Sequence, residues 1–230
     1  QAEFAQQLQT VVAEALQEYF AERSAPPQAL LELEQLRLQA LAGEWLQQVE
    51  RERPAFTVVE TEQEHIEQIG TLRIRTIIDR IDQLPDGRKL ILDYKTGQVK
   101  ADSLLAERLL EPQLPIYAVA TSDTNAAAVA FAQVRRGDCK LIGVASEGGL
   151  LPKVHAVAES KPAQQLELAD WDQLLVHWRT QLEELADEFV AGHAAVDPVD
   201  VETACRYCDL AAVCRIAEAV PFTAEQGVSA

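Results

Sequence analysis

Two aspartates and a lysine in the middle of the sequence are the residues best suited to chemistry. Asp79 lies in the segment 78–82, which reads Ile-Asp-Arg-Ile-Asp, and Asp93 and Lys95 lie in 91–97, which reads Ile-Leu-Asp-Tyr-Lys-Thr-Gly. Alternation in a regular strand places Asp93 and Lys95 on the same face. Burying an unpaired carboxylate is costly, so a cation shared by Asp79 and Asp93 is a natural partner. Oxygen ligands favour Mg²⁺ or Mn²⁺ over zinc, and Lys95 could then polarise a water molecule or hold a phosphate oxygen.

Less specific interpretations apply to the same acids. Asp-x-Lys on a strand is also typical of a surface ion pair, which contributes little to stability. Asp82, on the opposite face from Asp79 in a regular strand, is predicted to be structural and to pair with Arg80. The face of Asp79 is predicted to carry also Arg73, Arg75, Ile77 and Ile81.

Three cysteines near the end of the sequence form a second group, with the spacing Cys205-x2-Cys208-x5-Cys214. Thiolates bind zinc or iron–sulfur clusters, and four ligands are the rule for either. Only Cys139 remains as a fourth cysteine. The alternative is that the three are reduced structural thiols.

The elements that position these residues follow from hydrophobic periodicity. A period near 3.6 predicts two helices in the first 53 residues, separated by Pro26-Pro27, the second from Gln28 to Arg53. A period of two predicts the strands that carry the acids, with a tight turn at Asp86-Gly87. The predicted elements after residue 53 are a strand that opens at 56–59 and ends near Glu64, strands at 71–82 and 88–95, a helix at 111–120, strands at 126–134 and 140–145, and a helix at 169–192. This order predicts a mixed α/β domain with a central sheet covered by helices.

Composition sets limits on the class of protein. The chain has 230 residues, 48% of them apolar, which excludes wholesale disorder. Its net charge of −17 argues against a free-standing nucleic-acid binder, because phosphate affinity comes largely from Lys and Arg. No run of about 18 apolar residues and no secretory signal occurs, so we expect a cytoplasmic protein without a membrane partner. The sequence begins at Gln1 and contains no Met, so we expect it to be part of a longer protein.

The motifs at 78–82 and 91–97, the intervening turn and the segment Gln113-Leu-Pro-Ile-Tyr117 together resemble the nuclease domain of the RecB/AddB type within the PD-(D/E)XK superfamily. The resemblance covers about Phe56 to Tyr117. It implies a restriction-endonuclease-like α/β fold, in which a central mixed sheet is flanked by helices in the order α-β-β-β-α-β.

The resemblance also implies residue roles. Asp79 and Asp93 would hold Mg²⁺ or Mn²⁺ together with the Tyr94 carbonyl, and Lys95 would be the catalytic lysine. Gln113 and Tyr117, one helical turn apart, would bind the DNA substrate.

Two departures from the family pattern affect this site. Thr76 stands where the family usually has Gly. Family members also carry a His or Glu ligand on an N-terminal helix, often in a Gly-x-x-x-His context that is missing here, and neither Glu44 nor Glu50 is assigned this role. We expect that ligand to lie before Gln1 or to be absent.

For the cysteine group the resemblance implies a [4Fe–4S] cluster, held by Cys205, Cys208, Cys214 and a distant upstream cysteine of the full-length protein. We expect the cluster to be incomplete in the present chain.

The resulting hypothesis is a Mg²⁺-dependent deoxyribonuclease, an exonuclease acting on DNA ends or single strands in repair or recombination. It would be the C-terminal domain of a longer helicase-related protein, with the rest of that chain and a helicase subunit as partners. The predicted organisation is a helical segment at 1–53 packing on a nuclease core at 54–193, followed by a cysteine-containing tail at 194–230. The alternatives are an inactive nuclease fold that binds DNA ends or a protein, and a cluster or zinc module in the tail.

Overall fold

The computed structural model describes residues 2–120 and 125–216, and the chain forms two compact units, residues 1–186 and 187–230. The predicted division at residues 53 and 193 stays a prediction. The helices are α1 (Ala2–Ala21), α2 (Gln28–Gln48), α3 (Gln113–Ala120), α4 (Lys161–Gln165), α5 (Trp171–Val190), α6 (Val201–Cys205) and α7 (Ala211–Cys214). The strands are β1 (Thr57–Ile69), β2 (Leu72–Gln83), β3 (Lys89–Lys95), β4 (Ala126–Gln133), β5 (Lys140–Ala145) and β6 (His155–Ala156). No helix in the described part of the chain is long and apolar enough to cross a membrane.

The six strands form one mixed sheet in the order β1-β2-β3-β4-β5-β6. The pairs β3–β4 and β5–β6 are parallel, and the other pairs are antiparallel. Helix α3 lies in the connection between the parallel strands β3 and β4, as such a crossover requires. The run α2-β1-β2-β3-α3-β4 confirms the predicted mixed sheet with flanking helices.

The central strand β3 is buried on both faces because an apolar layer covers each. Ile91 belongs to a core cluster that includes Tyr117 of α3 and Trp178 of α5. Leu90 and Leu92 belong to a second cluster, which includes Trp45 of α2. Leu90, Ile91 and Leu92 are all fully buried. This continuous apolar run is what a strand covered on both faces requires.

Strand β1 is longer than predicted, since it continues past Glu64 to Ile69 and pairs with β2 along its whole length. Its second half was missed because it is mostly polar and exposed, so its residues show no apolar alternation. Its strand conformation depends on its pairing with β2. The prediction that side chains alternate regularly along the whole of β2, with Asp79 and Ile81 on one continuous face, is also wrong. Ile78 and Ile81 are three residues apart, yet both belong to the core cluster that contains Ile91. The alternation breaks at Asp79. Glu62 of β1, which lies between the two cross-strand pairs that flank Asp79, has a φ of 50° and so departs from extended backbone there.

A close approach of β4 and β5 requires a glycine at position 143. Gly143 pairs with Ala130, and a Cβ atom at 143 would lie 2.0 Å from the Val129 carbonyl oxygen and 2.6 Å from the Ala130 Cα atom. Because both obstacles are backbone atoms of a central strand, a side chain could be accommodated only by moving the sheet.

Candidate active site

Strand β3 carries Asp93 and Lys95 from the core toward the surface. Asp93 is 1% exposed and pairs with Phe131 of β4, and Lys95 pairs with Gln133. The Lys95 side chain is 29% exposed. The two groups therefore lie at the end of a rigid, central strand, where one remains in the protein interior and the other reaches solvent.

Asp79 lies next to Asp93 because of the register between β2 and β3. Their ladder runs from Gln83–Lys89 to Arg80–Leu92, and the next position in this register places Asp79 opposite Asp93. Asp79 Oδ2 accepts a hydrogen bond of 2.8 Å from the Tyr94 backbone N–H. The Asp79 side chain thus accepts a hydrogen bond from the β3 backbone just beyond the last backbone pair of β2 and β3. This hydrogen bond holds the Asp79 carboxylate beside Asp93.

Asp93 and Lys95 form an ion pair in which Lys95 Nζ lies 2.8 Å from Asp93 Oδ2. Apart from this contact, the buried Oδ2 has no hydrogen-bond partner among the described residues. Burial raises the pKa of Asp93, Lys95 opposes this, and the negative charges of Asp79 and Glu111 add to it. Burial alone would lower the pKa of Lys95, but its contact with Asp93 and the charges of Glu111 and Asp79 raise it.

A divalent cation fits these residues. The Asp93 carboxylate is almost fully buried and Asp79 supplies a second carboxylate next to it, so the single positive charge of Lys95 faces two negative ones, and an added cation would compensate the second. In the part of the chain that the structure describes, no group of three or more His, Cys, Asp or Glu side chains is arranged to hold a metal ion. Two carboxylates suit Mg²⁺, which commonly takes one or two and keeps several water molecules.

Gln113 and Tyr117 are brought to Lys95 by α3. Lys95 Nζ donates a hydrogen bond of 3.0 Å to Gln113 Oε1, and Gln113 Nε2 donates one of 2.8 Å to the Tyr117 hydroxyl. The Tyr117 hydroxyl in turn donates one of 2.7 Å to the Ile77 carbonyl. Tyr117 is 3% exposed. The predicted contact of this pair with DNA stays a prediction, while the structure places both side chains in the protein's own hydrogen-bond network.

Glu111 was missed by sequence reasoning. It precedes Gln113 by two residues, and its charge raises the pKa of both Asp93 and Lys95. Its only sequence signal was proximity to the Gln-x-x-x-Tyr motif, which does not distinguish it from an ordinary surface acid.

A buried ionic network lies behind the site and was only partly foreseen. Arg80 Nε donates to Asp82 Oδ1 at 2.7 Å, which confirms the predicted structural pair. Arg53 also binds Asp82, at 2.5 Å, and Glu50 binds both arginines. Burial would raise the pKa of Glu50, but the two arginines lower it below its ordinary value. Because Arg80 also donates to the Tyr94 hydroxyl, the network ties together the strand segments that carry Asp79 and Asp93.

Glu50 is therefore occupied by arginines rather than directed at the carboxylates. Helix α2 ends at Gln48 instead of the predicted Arg53, and a short 3₁₀ turn, Glu50–Glu52, follows. Trp45 Nε1 donates to Glu50 Oε1 at 3.0 Å. These contacts explain the early end of the helix, because a continuous helix would direct Glu50 and Arg53 differently.

The cysteines of the second unit lie in short elements. Cys205 ends α6, the Cys208 backbone N–H donates to the Cys205 carbonyl, and Cys214 ends α7. All three are free thiols, as is Cys139 of the first unit. The described residues do not bring three of these thiols together as metal ligands, so the cluster stays a prediction.

Comparison with known proteins agrees with this geometry. The family model described as the PD-(D/E)XK nuclease superfamily matches residues 1–215. No curated protein matches the chain. The match spans most of the chain, including both aspartates, the lysine and the mixed sheet that positions them. The chain belongs to the PD-(D/E)XK nuclease superfamily.

Proposed function

We propose that this protein is a Mg²⁺- or Mn²⁺-dependent nuclease that hydrolyses phosphodiester bonds in DNA. The observation that carries the proposal is the buried carboxylate of Asp93, which lies beside that of Asp79 and 2.8 Å from Lys95 Nζ at the end of β3. Family membership supports nuclease chemistry, and the carboxylate oxygens support a hard divalent cation.

Each side chain has a distinct part in this proposal. Asp79 and Asp93 would hold the cation, with the Tyr94 carbonyl as a further ligand. The bound cation would supply an activated water and would stabilise negative charge on phosphate oxygens. Lys95 keeps its proton because Asp93 and the neighbouring acids raise its pKa. Its ammonium can therefore donate hydrogen bonds to a phosphate oxygen or orient the attacking water.

The finer hypothesis is an exonuclease of the RecB/AddB type acting on DNA ends or single strands in the cytoplasm, during repair or recombination. It would be part of a longer helicase-related protein, with a helicase subunit as a possible partner. The three cysteines of the second unit would belong to a [4Fe–4S] site completed elsewhere in that longer protein. The Cys-x2-Cys-x5-Cys spacing supports this part of the proposal.

The proposal is tested with labelled linear DNA, single- and double-stranded, incubated with Mg²⁺, Mn²⁺ or EDTA. We expect cutting that requires the cation and is lost in Asp93→Asn and Lys95→Ala. Asp86→Asn is the matched control, because Asp86 lies in the turn of the same hairpin and its side chain is 51% exposed. Cutting that persists in EDTA, or in both site variants, would contradict the assignment.

A second candidate is a nuclease fold that binds DNA ends or a partner without cutting. It is favoured by one observation, namely that Glu50 is bound by Arg53 and Arg80 and so does not serve as an N-terminal ligand. Metal-dependent DNA binding without cleavage, including by a longer form of the protein, would support this candidate.

A further inference from the structure

Four groups in the site form a hydrogen-bonded chain with a defined direction. Lys95 has only donors, so Gln113 must face it with Oε1. This leaves Gln113 Nε2 as the donor to the Tyr117 hydroxyl. The Ile77 carbonyl can only accept, so the hydroxyl proton points to it. Each amide and hydroxyl orientation is therefore fixed by a group that cannot reverse its role.

This chain connects two strands through a helix. Lys95 lies in β3, Gln113 and Tyr117 lie in α3, and Ile77 lies in β2, two residues before Asp79. The Tyr117 end of the chain is held in place, because the Tyr117 ring is buried in the core cluster and its hydroxyl donates a hydrogen bond to a strand carbonyl. The ammonium of Lys95 is thereby held between Gln113 Oε1 and Asp93 Oδ2.

We propose that Gln113 and Tyr117 are positioning residues for Lys95 rather than contacts to the substrate. This inference rests on the proposed function, because it specifies how Lys95 is held for phosphodiester hydrolysis. The low exposure of Tyr117 favours this role, since a hydroxyl engaged with Gln113 and Ile77 has little surface to offer DNA. Displacing a catalytic group by about 1 Å can lower the rate about 10²-fold. We therefore expect loss of either positioning residue to lower kcat.

The test separates kcat from DNA affinity. Tyr117→Phe removes one oxygen and keeps the buried ring, and we expect kcat to fall about tenfold. Gln113→Ala should lower kcat by about 10²-fold, and Gln113→Glu, which keeps an acceptor for Lys95, should retain more activity than Gln113→Ala. The Kd for DNA, measured by fluorescence anisotropy in Ca²⁺, should stay within about twofold of wild type. Tyr19→Phe, at an exposed tyrosine of α1, is the matched control.

A second readout does not depend on activity. The side-chain amide of Gln113, identified in NMR spectra as the signal lost in Gln113→Ala, should exchange its protons with solvent faster in Tyr117→Phe. An unchanged exchange rate overturns the inference even if the wild type cuts no DNA. An unchanged kcat in Tyr117→Phe, or a tenfold weaker Kd with kcat retained, also overturns it. A wild type that cuts no DNA while the exchange rate rises would refute the proposed function and leave the positioning of Lys95 supported.

Discussion

Replacing Asp82 with Asn would remove one of the two carboxylates shared by the buried Arg53 and the largely buried Arg80. The side chains of Arg53 and Asp82 are both 0% exposed, and that of Arg80 is 11% exposed. Removing one partner of a buried ion pair typically costs about 3–5 kcal/mol, because the remaining charge stays buried and uncompensated. Glu50 still contacts both arginines, so we expect the lower end, about 3 kcal/mol.

The assay is urea unfolding followed by circular dichroism, together with thermal melting. For a chain of this size, about 3 kcal/mol corresponds to a Tm lower by about 6–12 °C. Glu34→Gln is the control, because it breaks the pair with Arg37 on α2, where the side chains are 38% and 54% exposed. Exposed pairs contribute about 0–1 kcal/mol, so the Tm of this variant should change by less than about 4 °C.

Equal effects of Asp82→Asn and Glu34→Gln would refute the reasoning, because burial would then not determine the cost. A second outcome would refute the structural role of Asp82 itself. If Asp82→Asn kept wild-type stability but lost divalent-cation binding, Asp82 would have to be counted among the metal ligands.

For three other substitutions, the surroundings of the replaced residue determine whether the free energy of unfolding rises or falls. Urea titration measures each change. Asp93→Asn should raise the unfolding free energy of the metal-free protein by about 1 kcal/mol at neutral pH, because burial disfavours the charged form of Asp93 more than its ion pair with Lys95 favours it. Because burial raises the pKa of Asp93, wild-type stability falls as pH rises from 3.8 through the folded-state pKa, so this gain should vanish below pH 3.8. Thr76→Val should raise stability by about 1 kcal/mol, since the Thr76 hydroxyl is buried and no described residue forms a hydrogen bond with it. Gly143→Ala should lower stability by about 1–3 kcal/mol, because the new Cβ atom meets backbone atoms of β4.

Each of these predictions has a contradicting result. A gain from Asp93→Asn that persists below pH 3.8 would show that ionisation of Asp93 is not its cause. A destabilised Thr76→Val would mean that the hydroxyl has a partner in solution. A neutral Gly143→Ala would mean that β4 and β5 separate easily, and Gly87→Ala, at a position with a φ of 89° and open space around it, separates backbone strain from this steric effect.

The site could be predicted from sequence to the extent that it depends on local alternation. Asp93 and Lys95 share a face because they are two residues apart in one strand, and their positions needed no tertiary information. Asp79 could join them only if the hairpin had the right register, which the Asp86-Gly87 turn suggested without fixing. The structure supplies that register.

The contacts around these residues could not be predicted, because they join distant parts of the chain. Arg53 and Asp82 are separated by 29 residues, and neither had a signal that pointed to the other. The direction of the chain from Lys95 to Ile77 depends on how α3 packs over β2 and β3, which no periodicity encodes. The second half of β1 was missed for a related reason, since its pairing with β2 determines its conformation more than its own residues do.

The most direct test of the proposed metal site is a crystal structure of the protein grown with Mn²⁺, with anomalous diffraction data used to locate the ion. We predict one anomalous peak between the carboxylates of Asp79 and Asp93, and no peak there in crystals of Asp93→Asn. A protein that cuts DNA in the presence of Mn²⁺ but whose ion lies elsewhere, with Asp79 and Asp93 not coordinated, would contradict the account.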